Sequence, residues 1–381
     1  MNPTHTSPLN AKVGPADAST TQSDQQSAAV PQGKRPQRIF LHTGWRSGGT
    51  WVWSRFRALE SVSALYEPLG ALLGELSLDD IPDFRPDYTS GHPPLRSPYY
   101  EEYRPFVQKT GRGVNGYRKN FGIDRFGDAA GDDFPALCSY LKNLCDFSTG
   151  NGKVPVLKFC RSQGRTPWLK RAFPDVMHAG ILRNPASQFA SGWMLRQEWR
   201  NPFFVAAPFR VLGLNQGEPI VRQVIAMCGV KVPPVETASE EAYTVACTRY
   251  AQTAEGVEAY RAFVALWILC AWRMLNDVDL LLDTDRLGQS PAYAAGLRSE
   301  FQAATGVAPD FSAARNLVDE ATRNVRRMSE IDGRLLRPIN FSARKFLLAQ
   351  IEASGGSQSP IAEIVRQKLS LADEISGQWR Y

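Results

Sequence analysis

Residues 38–54 read RIFLHTGWRSGGTWVWS. The apolar run Ile39, Phe40 and Leu41 predicts a short buried strand, the glycines at 44, 48 and 49 predict a turn, and the pattern from Thr50 predicts a helix. Glycine takes positive φ at little steric cost and lets a ligand approach bare backbone. A helix that begins just after such a turn leaves its first N–H groups unpaired and points its positive dipole end at the ligand. Arg46 adds a fixed cation, and Ser47 and Thr50 add hydroxyls. The stretch has the parts of a phosphate-holding turn. Set against G-x-x-x-x-G-K-[ST], Gly44 through Gly49 fits, but Thr50 follows directly and the Lys is missing. A nucleotide triphosphatase needs that Lys and a carboxylate partner for Mg²⁺.

A second segment, ILRNPASQFAS at residues 181–191, repeats strand, basic residue and helix start. The strand is expected to end at Arg183, and Pro185 suits the first turn of a helix. Ser191 lies eight residues beyond Arg183, a little over two helical turns, so the two can converge on one anion. Each segment alone also reads as an ordinary turn with a structural arginine. Two of them in one chain suggest a ligand with two separated phosphate groups.

In order and spacing the pair resembles the cofactor motifs of sulfotransferases that use 3′-phosphoadenosine 5′-phosphosulfate (PAPS). In that family an [RK]-S-G-[TG]-T-W loop grips the 5′-phosphosulfate, and a strand–Arg–helix–Ser segment of the same spacing grips the 3′-phosphate. The resemblance gives the 5′ role to Arg46, Ser47, Gly48, Gly49, Thr50 and Trp51, with Trp51 near the adenine. It gives the 3′ role to Arg183 and Ser191. It also implies a P-loop-type sulfotransferase architecture, PAPS as donor and no metal. The likeness runs from about residue 38 to 285, and its specific part is confined to the two segments.

The rest of the chain is read from composition and periodicity. At 381 residues it can bury a sizeable core without needing two full domains. Residues 1–36 are rich in Pro, Ser, Thr, Gln and Ala and lack an apolar signal core, so a disordered tail is expected, followed by one domain over 37–381. Six cysteines stand singly, without a C-x-x-C pair or clustering with the four histidines, which suggests reduced thiols in the cytoplasm. The net charge of +6 suits a polyanionic ligand; the basic residues are dispersed and form no stripe for nucleic acid. The apolar stretch FVALWILCAWRML at 263–275 is too short to span a bilayer and reads as a buried helix.

Strands are expected at 38–43, 154–159 and 176–182, with a short strand or turn at 65–68 and a last strand at 280–282. Helices are expected at 50–62, 69–76, 133–147, 164–172 and 185–198, with mostly helix after Arg200 and an irregular stretch over about 79–130. This alternation predicts the α/β class: three layers, a mostly parallel central sheet with flanking helices, and extra helices toward the C-terminus. Ligands in such sheets gather at the carboxyl ends of the strands, where both anion motifs fall.

Sulfuryl transfer to a hydroxyl, by analogy with loose phosphoryl transfer, asks mainly for positioning and charge stabilisation. Loop N–H groups, Arg46 and Thr50 are suited to charge growing on the leaving phosphate. The acceptor also needs a proton acceptor in reach. Small-molecule members of the family carry a His before the 3′ motif, where this chain reads LKFCR at 157–161. Glu67, in LYEPL at 65–69, resembles the setting of the proposed base in carbohydrate sulfotransferases, and shelter beside Tyr66 and Leu69 is expected to raise its pKa. Lys158 reads either as a group touching the sulfate or as a structural, snorkelling lysine. His42 is a further base candidate, on a strand directed into the core. Tyr99, Tyr100 and Tyr103 read as the packing of a mobile lid or as a stacking surface for an acceptor. The function expected is transfer from PAPS to a hydroxyl, of a glycan or glycolipid. The alternatives are a P-loop phosphotransferase acting on a small molecule and a nucleic-acid-binding module. Acceptor identity, oligomeric state and membrane-surface association are not encoded in any readable motif.

Overall fold

Five apolar runs become strands: β1 (Ile39–Thr43), β2 (Val62–Tyr66), β3 (Val154–Phe159), β4 (Met177–Leu182) and β5 (Leu280–Asp283). They pair in the order β2-β3-β1-β4-β5, and every pair is parallel. Every residue of β1 and β4 is buried, and because side chains alternate across a sheet, both faces are covered. The protein is α/β, an all-parallel sheet flanked by helices. The structure, a computed structural model, describes residues 38–87, 90–122, 126, 135–234, 239–353 and 360–379, so the tail expected over 1–36 lies outside the described residues. Residues Arg35–Tyr381 form one compact unit.

Helices α1 (Gly49–Arg57), α2 (Pro135–Gly150) and α3 (Thr166–Ala172) connect the first four strands. Between β4 and β5 run α4 (Pro185–Trp199), α5 (Phe203–Leu214), α6 (Pro219–Cys228), α7 (Glu240–Thr253) and α8 (Gly256–Asp277). After β5 come α9 (Thr284–Leu287), α10 (Pro291–Thr305), α11 (Leu317–Arg323), α12 (Arg337–Ala353) and α13 (Pro360–Ser376). The chain leaves β1 toward β2 on one side, whereas β3 and β4 both send it toward the other. That reversal opens a crevice at the carboxyl end of β1. The apolar stretch at 263–275 lies in α8, buried throughout from Phe263 to Ala271. Among the described residues no helix is long and apolar enough to cross a membrane.

Three expected elements differ. The helix after the first turn stops at Arg57, not 62, and β2 starts at Val62, because 62–66 pair residue for residue with 154–158. The helix expected at 69–76 is only a short 3₁₀ turn, Ala71–Gly74, between Gly70 and Glu75. Tyr99, Tyr100 and Tyr103 belong to the core: Tyr103 is fully buried and Tyr99 stacks on Tyr66 with centroids 4.6 Å apart. The long stretch expected to be irregular carries short 3₁₀ turns and a β-bridge between Val107 and Val114.

Under the sheet lies a buried histidine pair. His178 Nε2 is 3.2 Å from the Phe173 carbonyl and must donate to it, so His178 Nδ1 accepts from His42 Nε2 at 3.0 Å. His42 Nδ1 then accepts the Ser162 hydroxyl proton at 2.7 Å. The chain of bonds requires His178 to be neutral, and His42 is spent on it rather than facing a ligand. Burial first, then His178, holds His42 well below the ordinary histidine range, and burial lowers His178. The unfolded chain therefore binds protons that the folded state refuses. Stability is full above about pH 6.5 and falls below it by up to about 1.4 kcal/mol per pH unit for each histidine. Denaturant midpoints followed from pH 7 to 4.5 check this: His178→Gln is expected to flatten the slope, and an unchanged slope assigns the acid loss elsewhere.

Candidate functional site

The carboxyl ends of all five strands open on one cavity of about 350 Å³, within the range of small-ligand sites. Gly44 to Trp51 apart from Ser47, then Glu67, Lys158, Arg183 and Thr284, bring β1, β2, β3, β4 and β5 to its wall. The two sequence segments thus meet at one place.

At the first turn, Ser47 donates to the Gly44 carbonyl from both its N–H (3.2 Å) and its hydroxyl (2.8 Å). Ser47 is buried, its hydroxyl closes the turn, and it stands behind the cavity wall formed by its neighbours. Gly48 has φ 92° and Arg46 φ 66°; the left-handed conformation costs a non-glycine residue about 1–3 kcal/mol. A Cβ on Gly49 would lie 2.7 Å from the Thr43 side chain, so only glycine fits against β1 there. The first bonds of α1 run from the Trp51 and Val52 N–H groups to the Gly48 carbonyl, at 3.0 and 3.1 Å, and no side chain caps the helix. The Gly49 and Thr50 N–H groups are left at the open helix end, on residues that line the cavity. Arg55 stacks over the Trp51 ring, 5.4 Å from its centroid.

At the second turn, Arg183 donates from Nε to Ser187 Oγ (2.8 Å) and from Nη1 to the Arg46 carbonyl (3.0 Å). Arg46 donates from Nε and Nη2 to Ser191 Oγ (3.1 and 3.0 Å) and from Nη1 to the Ser90 carbonyl (2.7 Å). Ser187, one helical turn nearer the strand end, bonds Arg183, while Ser191 bonds Arg46; Arg183 and Ser191 both line the cavity. Neither guanidinium forms an ion pair with a carboxylate among the described residues. Burial, then the neighbouring Arg183, brings Arg46 down to about 10; burial lowers Arg183 as well. Both stay charged at neutral pH, and an anion placed between them would relieve their repulsion.

Glu67 follows β2 with φ 47°, and the pairing of Tyr66 with Lys158 sets its carboxylate against the end of β3. One carboxylate oxygen takes the Lys158 ammonium and the other accepts the Cys160 N–H at 2.9 Å. Burial alone would raise the Glu67 pKa, but the Lys158 charge and these hydrogen bonds outweigh it and hold the carboxyl below its ordinary value. The expected upward shift is thus reversed, because shelter beside Tyr66 comes with a buried cation. Burial opposes the Lys158 charge, yet Cys160, Glu67 and Tyr66 together hold it above the ordinary lysine value. Burial keeps the Cys160 thiol protonated, pushed up to about 11, so Glu67 is the anion that matters. Lys158 is an ion-pair partner with its ammonium 4.6 Å from the Tyr66 centroid, not a snorkelling surface lysine.

His92 also reaches the cavity, and nothing in its Pro-rich surroundings signals this. Its Nδ1 is 2.6 Å from the Tyr99 hydroxyl, and burial, then Arg46 and Lys158, brings the ring down to about 3, so it is neutral. Nε2 is the free ring atom: a proton acceptor when Nδ1–H donates to Tyr99, a donor in the other tautomer. Ser187 had a visible signal, since Asn184 caps α4 by accepting the Ser187 N–H at 2.9 Å. Among the described residues no cluster of three or more His, Cys, Asp or Glu is placed to hold a metal ion. No family model matches the chain, and no curated protein or solved structure matches it.

Proposed function

We propose that this protein is a PAPS-dependent sulfotransferase of P-loop-type architecture, acting in the cytoplasm on an acceptor hydroxyl such as that of a glycan or glycolipid. One observation carries the reading: Arg46 and Arg183, unpaired with any described carboxylate, face the cavity that also receives the open N–H groups of α1. Such a cluster is costly without an anion and fits a ligand charged at two points. The residues suit the donor group. Gly48, Gly49 and Thr50 offer backbone N–H donors to a 5′-phosphosulfate, with Arg46 beside them. Arg183 sits at the second anion position, with the Ser187 hydroxyl beside it. Trp51 and Leu317 give the wall an apolar side for a base. Bound there, PAPS supplies an activated sulfuryl group.

The chain's own task is then to orient the acceptor and take its proton. Glu67 is ionised at neutral pH, as a proton acceptor must be, although Lys158 weakens its basicity. Lys158 is the cation nearest that carboxylate and offsets charge that builds up beside it. His92 is a second acceptor at the same wall. Glu67→Gln and His92→Ala separate the two: the true acceptor's loss lowers turnover with bisphosphate affinity intact.

A thermal-shift screen tests the donor assignment, because a ligand bound only by the folded state raises apparent stability. Adenosine 3′,5′-bisphosphate is expected to stabilise the protein more than ATP, ADP or 5′-AMP, without added metal. Mg²⁺-dependent stabilisation by ATP exceeding that of the bisphosphate would move the reading to a P-loop phosphotransferase.

A further inference from the structure

The second anion turn is tied to the far end of the chain by buried hydrogen bonds that the proposed reaction does not use. Lys368, on α13 and 2% exposed, donates to Asp283 and, at 2.6 Å, to Asp285 Oδ2. Asp285 accepts the Asn184 N–H at 2.7 Å and the Asn184 side-chain amide at 2.8 Å. A carboxylate only accepts, so the amide orientation of Asn184 is forced. The same amide donates to Ser187 Oγ at 2.7 Å, and Arg183 Nε donates to that oxygen at 2.8 Å. A hydroxyl oxygen has two lone pairs and one proton. Both lone pairs of Ser187 Oγ are taken by N–H donors. Its proton is left to be given away, and Ser187 lines the cavity.

We propose that Arg183 and Ser187 form a pre-set anion site in which the Ser187 hydroxyl is held as a donor, and that Lys368 is its positioning residue, acting through Asp285 and Asn184. On the sulfotransferase reading, on which the nucleotide assignment rests, this site takes the 3′-phosphate. Ser191 has a different task, since it anchors Arg46 at the 5′ side. The C-terminal helix is thereby part of the binding site without touching ligand. A lysine between two aspartates, Asp283 and Asp285, bonds both and holds Asp285 aimed at Asn184; a neutral residue there would leave two buried carboxylates without their shared cation.

The test is titration calorimetry on the full chain with adenosine 3′,5′-bisphosphate, 5′-AMP and inorganic phosphate. Ser187→Ala and Lys368→Met are expected to cut the preference for bisphosphate over 5′-AMP about tenfold, with 5′-AMP affinity changed less than about twofold. Ser191→Ala is expected to weaken both nucleotides alike, and Lys368→Arg to keep the preference. Inorganic phosphate binding is expected to weaken in Ser187→Ala whatever the nucleotide. A Ser187→Ala protein with unchanged bisphosphate preference and phosphate affinity overturns the proposal, as does Lys368→Met weakening both nucleotides equally. Should the native protein show no bisphosphate preference, the sulfotransferase reading fails, and the phosphate arm still decides the anion site. Should Lys368→Met not fold, Ser187→Ala and Lys368→Arg decide.

Discussion

Lys158→Met is expected to lose about 3–5 kcal/mol of stability, because it leaves Glu67 a buried carboxylate without its cation. Lys158 is 2% exposed and Glu67 7%, so water offers neither a substitute partner. The loss should depend on pH, and its sign can be worked out. In the native protein Glu67 lies below its ordinary value, so its contribution is present above the unfolded carboxyl pKa and is lost as pH falls through the folded one. Without Lys158, burial is the dominant influence left and pushes the carboxyl up. Its penalty then disappears below the unfolded pKa and grows as pH rises. The gap between variant and native protein should therefore shrink from pH 7 to about pH 4.5. Glu67→Gln combined with Lys158→Met removes both charges and is expected to recover most of the loss, which a double-mutant cycle in denaturant measures. A single Lys158→Met within about 1 kcal/mol of the native protein would mean that the pair is solvated, and Glu67 would then be a far stronger base than its hydrogen bonds suggest.

The parts of the site that were legible in the sequence are local. The turn at 44–49 and the one at 183–185 each place strand end, cation and helix start within a dozen residues, so spacing alone puts them side by side. Ser191 shows the limit of this: helical periodicity brings residues 187 and 191 onto one face, but only the packed turn decides that Ser187 takes Arg183. Glu67 and Lys158 are 91 positions apart and meet through strand pairing, so no window of sequence contains their partnership or its effect on the carboxyl. His92 comes from a stretch without periodicity and is placed by the packing of Tyr99 on Tyr66. Lys368 did have a signal, since it shares the buried face of α13 with Val365, Leu369 and Ala372. A lysine in an apolar helical stripe implies buried carboxylates, though the sequence leaves open which.

Arg183→Ala is expected to weaken adenosine 3′,5′-bisphosphate on the order of 10²–10³-fold while weakening 5′-AMP less than about fivefold. The asymmetry follows from position. Arg183 is the buried cation bonded to Ser187 where the proposed 3′-phosphate would sit, and the more exposed Arg315 on the same wall is paired with Glu320, whereas the open N–H groups of α1 and Arg46 serve the 5′ end shared by both nucleotides. A small loss for 5′-AMP is still expected, because Arg183 also holds the Arg46 carbonyl at 3.0 Å in a turn where Arg46 adopts positive φ. Arg183→Lys should restore little: one ammonium cannot reproduce the planar fork that reaches Ser187 and the Arg46 carbonyl at once and still face the ligand. Arg46→Ala supplies the contrast, weakening both nucleotides together. Equal losses for the two nucleotides in Arg183→Ala would show that the two turns bind one phosphate between them, and the case for a doubly phosphorylated donor would fall with that result.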